Sequence, residues 1–451
     1  MRMHVLSVFL LSTAIHAAHA QALPQDYVGA LRQALANRPE IGVDTAGNAM
    51  ATAKVGEAKA AFMPTLTAYS SIQHTSVYSG VSPTGVSVNY ANQNLPVTFT
   101  DSLPPNGAST GLELRYNLYA GRADEARLDA AHAGQRAAAA SAQITRKQVV
   151  EDVTRAYWAV VKAKLDARRI RRALDLAHAE AEAASVQARD GTLATIEADV
   201  KALSAQVLET EWRNSQRALA DSIRNYLLAL GTASKPQYVE MLQQASPLEE
   251  VEHIGALDPK TVLAGFDLVG AAAVKKEIAE FDGATATIVQ ARADKRPRLD
   301  FLVGYNSGGR SAAGLDNAIT HYKRDFSYVG LQLSWKLFDG FYTDSRIDYA
   351  VAKAEKQRWI IKQAQRDAEH AWQDKSSRVT ELSEKVELAE KQLALSEAQR
   401  RIAEMRLATK RSSALQTRAA VNAVEDARDK VTGLKVDLFV ARVEAMLARV
   451  N

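Results

Sequence analysis

Gly111-Leu-Glu-Leu-Arg-Tyr-Asn-Leu-Tyr-Ala-Gly121 recurs 219 positions later as Gly330-Leu-Gln-Leu-Ser-Trp-Lys-Leu-Phe-Asp-Gly340. In both copies apolar and polar residues alternate, which indicates a β-strand with one apolar face. If the strands contact lipid, the predicted lipid-facing residues are Leu112, Leu114 and Tyr116 in the first copy and Leu331, Leu333 and Trp335 in the second. The polar side chains Glu113, Arg115, Gln332 and Lys336 would face the opposite side.

A second, weaker strand pattern precedes each copy, after Pro64 in the first half and after Pro297 in the second. Each half therefore predicts a β-hairpin, and the chain predicts four strands. Alternation alone fits a half-buried strand of a soluble sandwich equally well. Four strands are few for a sandwich, however, and they cannot close a membrane barrel, which begins near eight. Strands in a membrane would thus need several chains to share one barrel.

Two long helices follow the hairpins. Proline is absent between Pro105 and Pro236 and after Pro297, and glycine is absent between Gly134 and Gly191 and between Gly340 and Gly433. The pattern predicts helices over 122–189 and 344–409, each about 100 Å long at 1.5 Å per residue. Turns at Gly191 and Lys410 lead to returning helices. The charge runs, including Arg168 to Arg172, are interpreted as solvated helix faces.

The N-terminal segment predicts export. Arg2, an apolar run and Ala18-His-Ala20 have the pattern of a signal peptide over residues 1–20. The remaining chain is predicted to contain a first repeat (21–230), an equatorial connector (231–278) and a second repeat (279–451). With no cysteine, neither a disulfide nor a thioether-linked lipid is expected.

No catalytic chemistry is visible in the sequence. It carries no HExxH, GxSxG, P-loop or dinucleotide motif, and its histidines are not spaced as metal ligands. The formal net charge of +4 is too small to indicate a nucleic-acid-binding surface. The expectation is a protein that is not an enzyme and that has no cofactor, no metal and no nucleic-acid partner.

Several segments resemble the TolC-like outer-membrane efflux family: residues 27–41, Ala58 to Leu66, Ala156-Tyr-Trp158 and Leu337-Phe-Asp-Gly340. The resemblance covers the whole mature chain. It implies a mainly α fold with membrane β-strands, in which long coiled-coil hairpins join four strands per chain in a shared trimeric barrel of twelve strands. It also implies the outer membrane of a Gram-negative bacterium, with a large periplasmic part.

The function implied is that of a channel-tunnel, the exit duct of a tripartite system for type I protein secretion or multidrug efflux. Its implied partners are two further copies of the chain, outer-membrane lipid, a periplasmic adaptor (membrane fusion protein) and an inner-membrane pump of ABC or RND type. A periplasmic adaptor or a structural coiled coil without a pore is the alternative. Two helical hairpins argue against an adaptor, because adaptors have one. The two predicted strand pairs argue against a simple coiled coil, which would not need them.

The resemblance also implies that the two helical turns form the periplasmic gate and the adaptor contact. Family turns have a glycine followed by acidic residues about six positions later, which the first turn matches with Gly191, Glu197 and Asp199. Thr195 belongs to the same turn. The second turn departs from this pattern, since it has Lys410, Arg411, Ser413, Gln416 and Arg418. Gln416 and Ala419 stand where acids are usual, and Leu407 replaces the usual aromatic. A weaker preference for cations is expected.

Overall fold

A computed structural model describes residues 26–74, 80–81, 86–90, 93–97, 100–101, 104–244, 254, 258–264, 266, 268, 271–311, 313–320 and 324–449. The predicted signal peptide lies outside these residues. The elements in chain order are α1 (Tyr27–Asn37), α2 (Pro39–Ala60), β1 (Thr65–His74), β2 (Gly80–Val81), β3 (Val86–Tyr90), β4 (Gln93–Val97), β5 (Thr100–Asp101), β6 (Asn106–Tyr119), α3 (Ala123–Arg189), α4 (Thr195–Ala229), α5 (Pro236–Gln244), α6 (Pro259–Ala264), α7 (Ala272–Ala293), β7 (Arg298–Ser311), α8 (Leu315–Thr320), β8 (Arg324–Ser334), α9 (Tyr342–Ala408) and α10 (Ala414–Ala448).

The internal repeat is visible in the helix lengths. Helices α3 and α9 have 67 residues each, and α4 and α10 have 35 each. Both pairs begin 219 positions apart, which is also the displacement of the repeated segment from Gly111 to Gly330. Helices α2 and α7, with 22 residues each, also correspond. The boundary predicted after residue 278 therefore falls inside α7.

The chain forms two compact units, and each takes segments from both repeats. The first comprises the described residues within 1–42, 144–270 and 369–451, and the second those within 43–143 and 271–368.

An aromatic cluster forms the centre of the first unit. Tyr27 on α1 contacts Tyr157 and Trp158 on α3 and Phe439 on α10, with ring centroids 5.6 to 5.8 Å apart. The Tyr27 hydroxyl also shares a hydrogen bond of 2.6 Å with Thr154. Large side chains buried at one point on three helices fix the position of α1, whose first turn is capped by Asp26.

In the first unit ion pairs link α4 to α3, α3 to α10 and α10 to α9, and Lys375 on α9 also binds Glu151 on α3 at 2.6 Å. Lys201 on α4 binds Glu180 on α3, Arg172 on α3 binds Asp426 on α10, and Lys435 on α10 binds Glu390 on α9. The two helical hairpins, α3 with α4 and α9 with α10, therefore meet at α3, which binds both α10 and α9.

The second unit contains an antiparallel sheet with strand order β1-β6-β7-β8. The helices of this unit are joined by polar contacts between side chains. Gln135 on α3 bonds Thr52 on α2, Arg136 on α3 bonds Asp282 on α7, and Gln357 on α9 bonds Glu277 on α7. The short pairs β2–β5 and β3–β4 lie between β1 and β6 in sequence. The predicted fold class, long helical hairpins with four main strands, is confirmed. Within the described residues, no helix is both long and apolar enough to cross a bilayer.

Candidate functional site

The first helical turn ends α3 at Gly191. Its amide donates to the carbonyl of Ala188 at 3.2 Å, and the amide of Thr192 donates to that of Gln187 at 2.9 Å. This pair of bonds closes a Schellman motif, which needs a left-handed residue, and Gly191 has a φ of 72°. Glycine fits this position because it has no Cβ to clash with the following carbonyl.

The second turn has the same hydrogen bonds without a glycine. The amide of Lys410 donates to the carbonyl of Leu407 at 2.9 Å, and that of Arg411 donates to Arg406 at 2.8 Å. Lys410 takes a φ of 55°, although a side chain makes this conformation costly. The second turn thus has the same backbone conformation as the first, although lysine replaces glycine at the left-handed position.

The helices that leave the turns are capped differently. At α10, Ser413 accepts from the amide of Gln416, and the Gln416 side chain accepts from the amide of Ser413, both at 3.2 Å. This reciprocal capping box satisfies two amides of the first turn. At α4 the N-cap is Ala194, which makes no side-chain cap. The side-chain oxygen of Gln416 is therefore engaged by the backbone.

The charges of the two turns have opposite signs. The side chains of Glu197 and Asp199 are exposed near the start of α4, whereas Lys410, Arg411 and Arg418 are exposed around the second turn. No ion pair involves any of these five side chains in the described part of the chain. The first turn is therefore acidic and the second basic, as the predicted departure from the family pattern implies.

In the run from Arg168 to Arg172, predicted to be a solvated helix face, Arg168, Arg169 and Arg171 are each more than half exposed, and Arg172 is the exception at 23%. Arg172 binds Asp426 and Asp429 on α10 at 2.7 and 2.6 Å. Arg171 lies over the ring of Trp212 on α4, 5.3 Å from its centroid. Consecutive arginines thus connect α3 to its two neighbours. Sequence periodicity does not show which helices pack side by side, so it could not indicate these contacts.

The sheet has one apolar face. Leu66, Leu114, Val303 and Val329 are paired in one row across the four strands. The predicted residues Leu112, Leu114, Tyr116, Leu331 and Leu333 lie on this face, because pairing places Tyr116 and Leu331 beside Phe301 and Leu333 beside Leu299. The side chains of Leu331 and Leu333 are 65% and 67% exposed. Exposed leucines on a regular sheet mark a surface that something apolar covers.

Trp335 differs from the other predicted members of that face. Strand β8 ends at Ser334, so Trp335 lies just beyond the strand, as does Lys336. The Trp335 indole donates to the carbonyl of Lys295 at 3.0 Å. The alternation in sequence continues for three residues beyond the pairing, to Leu337, since the last pair joins Arg298 to Ser334.

The other face is mainly polar, although it also contains Leu302 and the exposed Phe326. Glu113 accepts from Arg115 at 3.3 Å and from the hydroxyl of Tyr328 at 2.9 Å. Tyr328 reaches Glu113 across β7 by lying over Gly304, where a Cβ would be 2.3 Å from its ring. Sequence reasoning missed Tyr328 and Gly304, because only the strand register shows that they are neighbours.

The sequence matches the family model described as outer membrane efflux protein over residues 30–233 and 268–444. The match spans most of the chain, and the chain belongs to this family. Members are passive channels, so the prediction that it is not an enzyme is confirmed.

Solved structures of outer membrane proteins share the fold. VceC from Vibrio cholerae has a TM-score of 0.70 at 14% identity, covering 94% of this chain and 95% of VceC. The CmeC outer membrane channel of Campylobacter jejuni has a TM-score of 0.71 at 12% identity, with coverages of 94% and 85%. The open state of the MtrE outer membrane channel of Neisseria gonorrhoeae has a TM-score of 0.66 at 14% identity, with coverages of 94% and 89%. No curated protein matches by sequence.

Proposed function

We propose that three copies of this chain form an outer-membrane export duct with a large periplasmic part. The observation that carries the proposal is a four-stranded antiparallel sheet with an exposed apolar face and a polar face. On a membrane barrel, apolar side chains face lipid and polar ones face the lumen. Family membership supports the same location.

The sheet requires other copies. Strands β1 and β8 are its edges, and each edge strand leaves a row of backbone groups that need partners in a bilayer. Four strands cannot close, because barrels begin near eight. Pairing β8 of one copy with β1 of the next satisfies both edges, and three copies supply twelve strands, as the family resemblance implies.

The outer helices of the first unit carry apolar residues at coiled-coil spacing. On α4 these are Ile196, Val200, Leu203 and Val207, all more than half exposed. On α9, Leu388, Leu395 and Ile402 follow at seven-residue intervals and are exposed. Both stripes are exposed in the single chain and have the spacing of a coiled-coil seam, so they fit a contact between neighbouring copies.

The turns are the proposed gate and adaptor contact: Gly191, Thr195, Glu197 and Asp199 in the first, and Lys410, Arg411, Ser413, Gln416 and Arg418 in the second. In a trimer the exposed acids of the first turn would occur three times near one axis, and so would the basic residues of the second. Opposite charges at one constriction reduce the field that attracts cations. The gate is therefore less cation-selective than one lined by acids alone.

The proposed partners are a periplasmic adaptor, an inner-membrane pump of ABC or RND type, and outer-membrane lipid. The family description supports efflux, and type I protein secretion uses the same kind of duct. Crosslinking in cells from the turns near Gly191 and Lys410 would identify the adaptor. The pump encoded with that adaptor then distinguishes drug efflux from protein secretion.

The oligomeric state tests the proposal directly. We expect the mass of three mature chains, somewhat below the 147 kDa of three full-length chains of 49.0 kDa each, when the purified protein is measured in detergent with the detergent subtracted. Because the chain has no cysteine, Val200→Cys with Leu395→Cys gives a clean test for crosslinking between copies. Glu390→Cys replaces Leu395→Cys in the control pair, because Glu390 binds Lys435 on α10 of the same chain. A stable monomer with an intact β signal would overturn the proposal.

A further inference from the structure

Two tyrosines on the polar face of the sheet lie over glycines of the neighbouring strand. A Cβ on Gly304 would be 2.3 Å from the ring of Tyr328, and a Cβ on Gly111 would be 2.7 Å from the ring of Tyr69. Carbon atoms pack about 3.5 to 4.0 Å apart, so each ring occupies space that only a glycine leaves free. Both rings therefore lie against the strand beside them instead of extending away from the sheet.

The strand register brings three aromatic rings together on this face. Tyr69, Gly111, Asn306 and Phe326 are paired in one row across the four strands, and Tyr328 lies in the next row. The rings of Phe326 and Tyr328 are stacked, with centroids 6.3 Å apart and planes at 28° to each other. Tyr69, Phe326 and Tyr328 are here called the ring patch.

The ring patch is open at both of its ends. In the single chain Tyr69 is 37% exposed and Phe326 is 55% exposed. Their strands, β1 and β8, are the edges of the sheet, so in the proposed barrel Phe326 of one copy and Tyr69 of the next lie on adjacent strands. Three copies then repeat the patch around the lumen. A barrel of twelve strands has room inside, because side chains fill barrels of about eight strands.

The carboxylates near the ring patch have cation partners. Glu113 accepts from Arg115 at 3.3 Å and from the hydroxyl of Tyr328 at 2.9 Å. Arg298 binds Asp300 at 3.1 Å on the same face. The patch therefore offers ring surface rather than a free carboxylate, and it can recognise a compound by stacking rather than by charge.

We propose that the ring patch is a stacking subsite for planar aromatic small molecules that pass through the barrel. This inference rests on the proposed duct function, and it assigns flat aromatic compounds to the substrates of the duct. The patch extends across four strands spaced about 4.8 Å apart, or about 14 Å in all, which fits a flat small molecule. A single aromatic contact is weak, so the compound is held and then released.

Channel block tests the ring patch. Ethidium, a flat aromatic cation, and tetraethylammonium, an aliphatic cation of the same charge, are added in turn to the trimer in planar bilayers. We expect ethidium to give the longer block events. Phe326→Leu keeps apolar bulk but removes the ring, and it should shorten the ethidium events about fivefold, the effect of losing one aromatic pair. Tyr305→Leu is the matched control, because Tyr305 is an exposed aromatic residue on the apolar face.

A second variant tests the patch from the other edge of the sheet. Tyr69→Leu should shorten the ethidium events as Phe326→Leu does. Fluorescence anisotropy of ethidium with the detergent-solubilised trimer repeats the comparison as equilibrium binding, and both substitutions should weaken that binding.

The subsite is refuted if tetraethylammonium blocks for as long as ethidium, or if both substitutions leave block and binding at wild-type values. A lower melting temperature without a change in block or binding would mean that the rings only cover the glycines. A wild-type trimer that conducts no ions would refute the duct itself, and the anisotropy comparison would then decide whether the patch binds aromatic compounds.

Discussion

Lys410 occupies the same left-handed backbone conformation as Gly191, with φ values of 55° and 72°. Both residues close a turn with the same two hydrogen bonds between corresponding positions. Only glycine adopts this conformation without a steric penalty, which for other residues is about 1 to 2 kcal/mol. The second turn therefore forms although the side chain of Lys410 disfavours the left-handed conformation. The packing and capping around the turn must offset that cost.

Replacing Lys410 by glycine should stabilise the second turn. We expect Lys410→Gly to slow amide hydrogen exchange at residues 410 and 411, with a gain of about 1 kcal/mol as the left-handed strain is removed. Arg411→Gly is the control, because Arg411 is not left-handed and glycine there adds only flexibility. Equal or faster exchange in Lys410→Gly would show that the lysine is not strained.

The capping box allows a clean test of the gate charges. Gln416→Glu keeps the box, since glutamate replaces glutamine in this motif, and it adds three negative charges to a trimer. We expect a higher preference for cations and a stronger block by divalent cations in planar bilayers. Gln416→Asp is too short for the same bond and should also loosen the cap. No change with Gln416→Glu would show that position 416 does not line the constriction.

The length of α3 was predictable because Gly121 and Gly191 flank it, and that of α9 because the 219-residue repeat places Lys410 at the position of Gly191. The strand faces were predictable from alternation. The sequence also contains the Ser413-x-x-Gln416 capping signature, which could have revealed the role of Gln416. The contacts of Arg172 and Tyr328 could not be read in this way. They depend on which helices and strands are neighbours, and that information lies in packing and register rather than in local spacing.

A charge on the apolar face should prevent assembly. Leu114→Arg and Leu333→Arg place a cation where we expect lipid, at a cost of about 2 to 4 kcal/mol per chain near the bilayer midplane. Both variants should be lost from the outer-membrane fraction. Arg115→Leu on the opposite face should assemble, because Glu113 keeps its bond from Tyr328. Equal assembly of all three would mean that the two faces are assigned wrongly.

Gly304 should determine where the Tyr328 ring lies. Gly304→Ala places a methyl group 2.3 Å from the present ring position, so the ring must leave the sheet and release Glu113. We expect a lower single-channel conductance, because the displaced ring enters the lumen. Gly330→Ala is the control on the same face, where nothing lies within 4 Å of an added Cβ. Equal conductance of the two variants would contradict the proposed lumen face.

Lys164 should make stability depend on pH. Burial lowers the pKa of this amine from 10.5 to about 8, and its Nζ donates to the carbonyl of Leu242 at 2.6 Å. Between those two pH values the unfolded chain holds the proton and the folded chain has released it. Stability from this group therefore rises with pH from about 8 to about 10.5.

Removing the amine should abolish that rise. We expect the melting temperature of Lys164→Met in detergent to change less between about pH 7 and about pH 9.5 than that of wild type, since only the wild-type folded state gains from losing the buried charge. Lys162→Met is the matched control, because Lys162 is more exposed and binds Asp437. Other titrating groups contribute equally to all three proteins and cancel in the comparison. If Lys164→Met keeps the full wild-type pH dependence, burial does not lower the pKa of Lys164 in the folded protein.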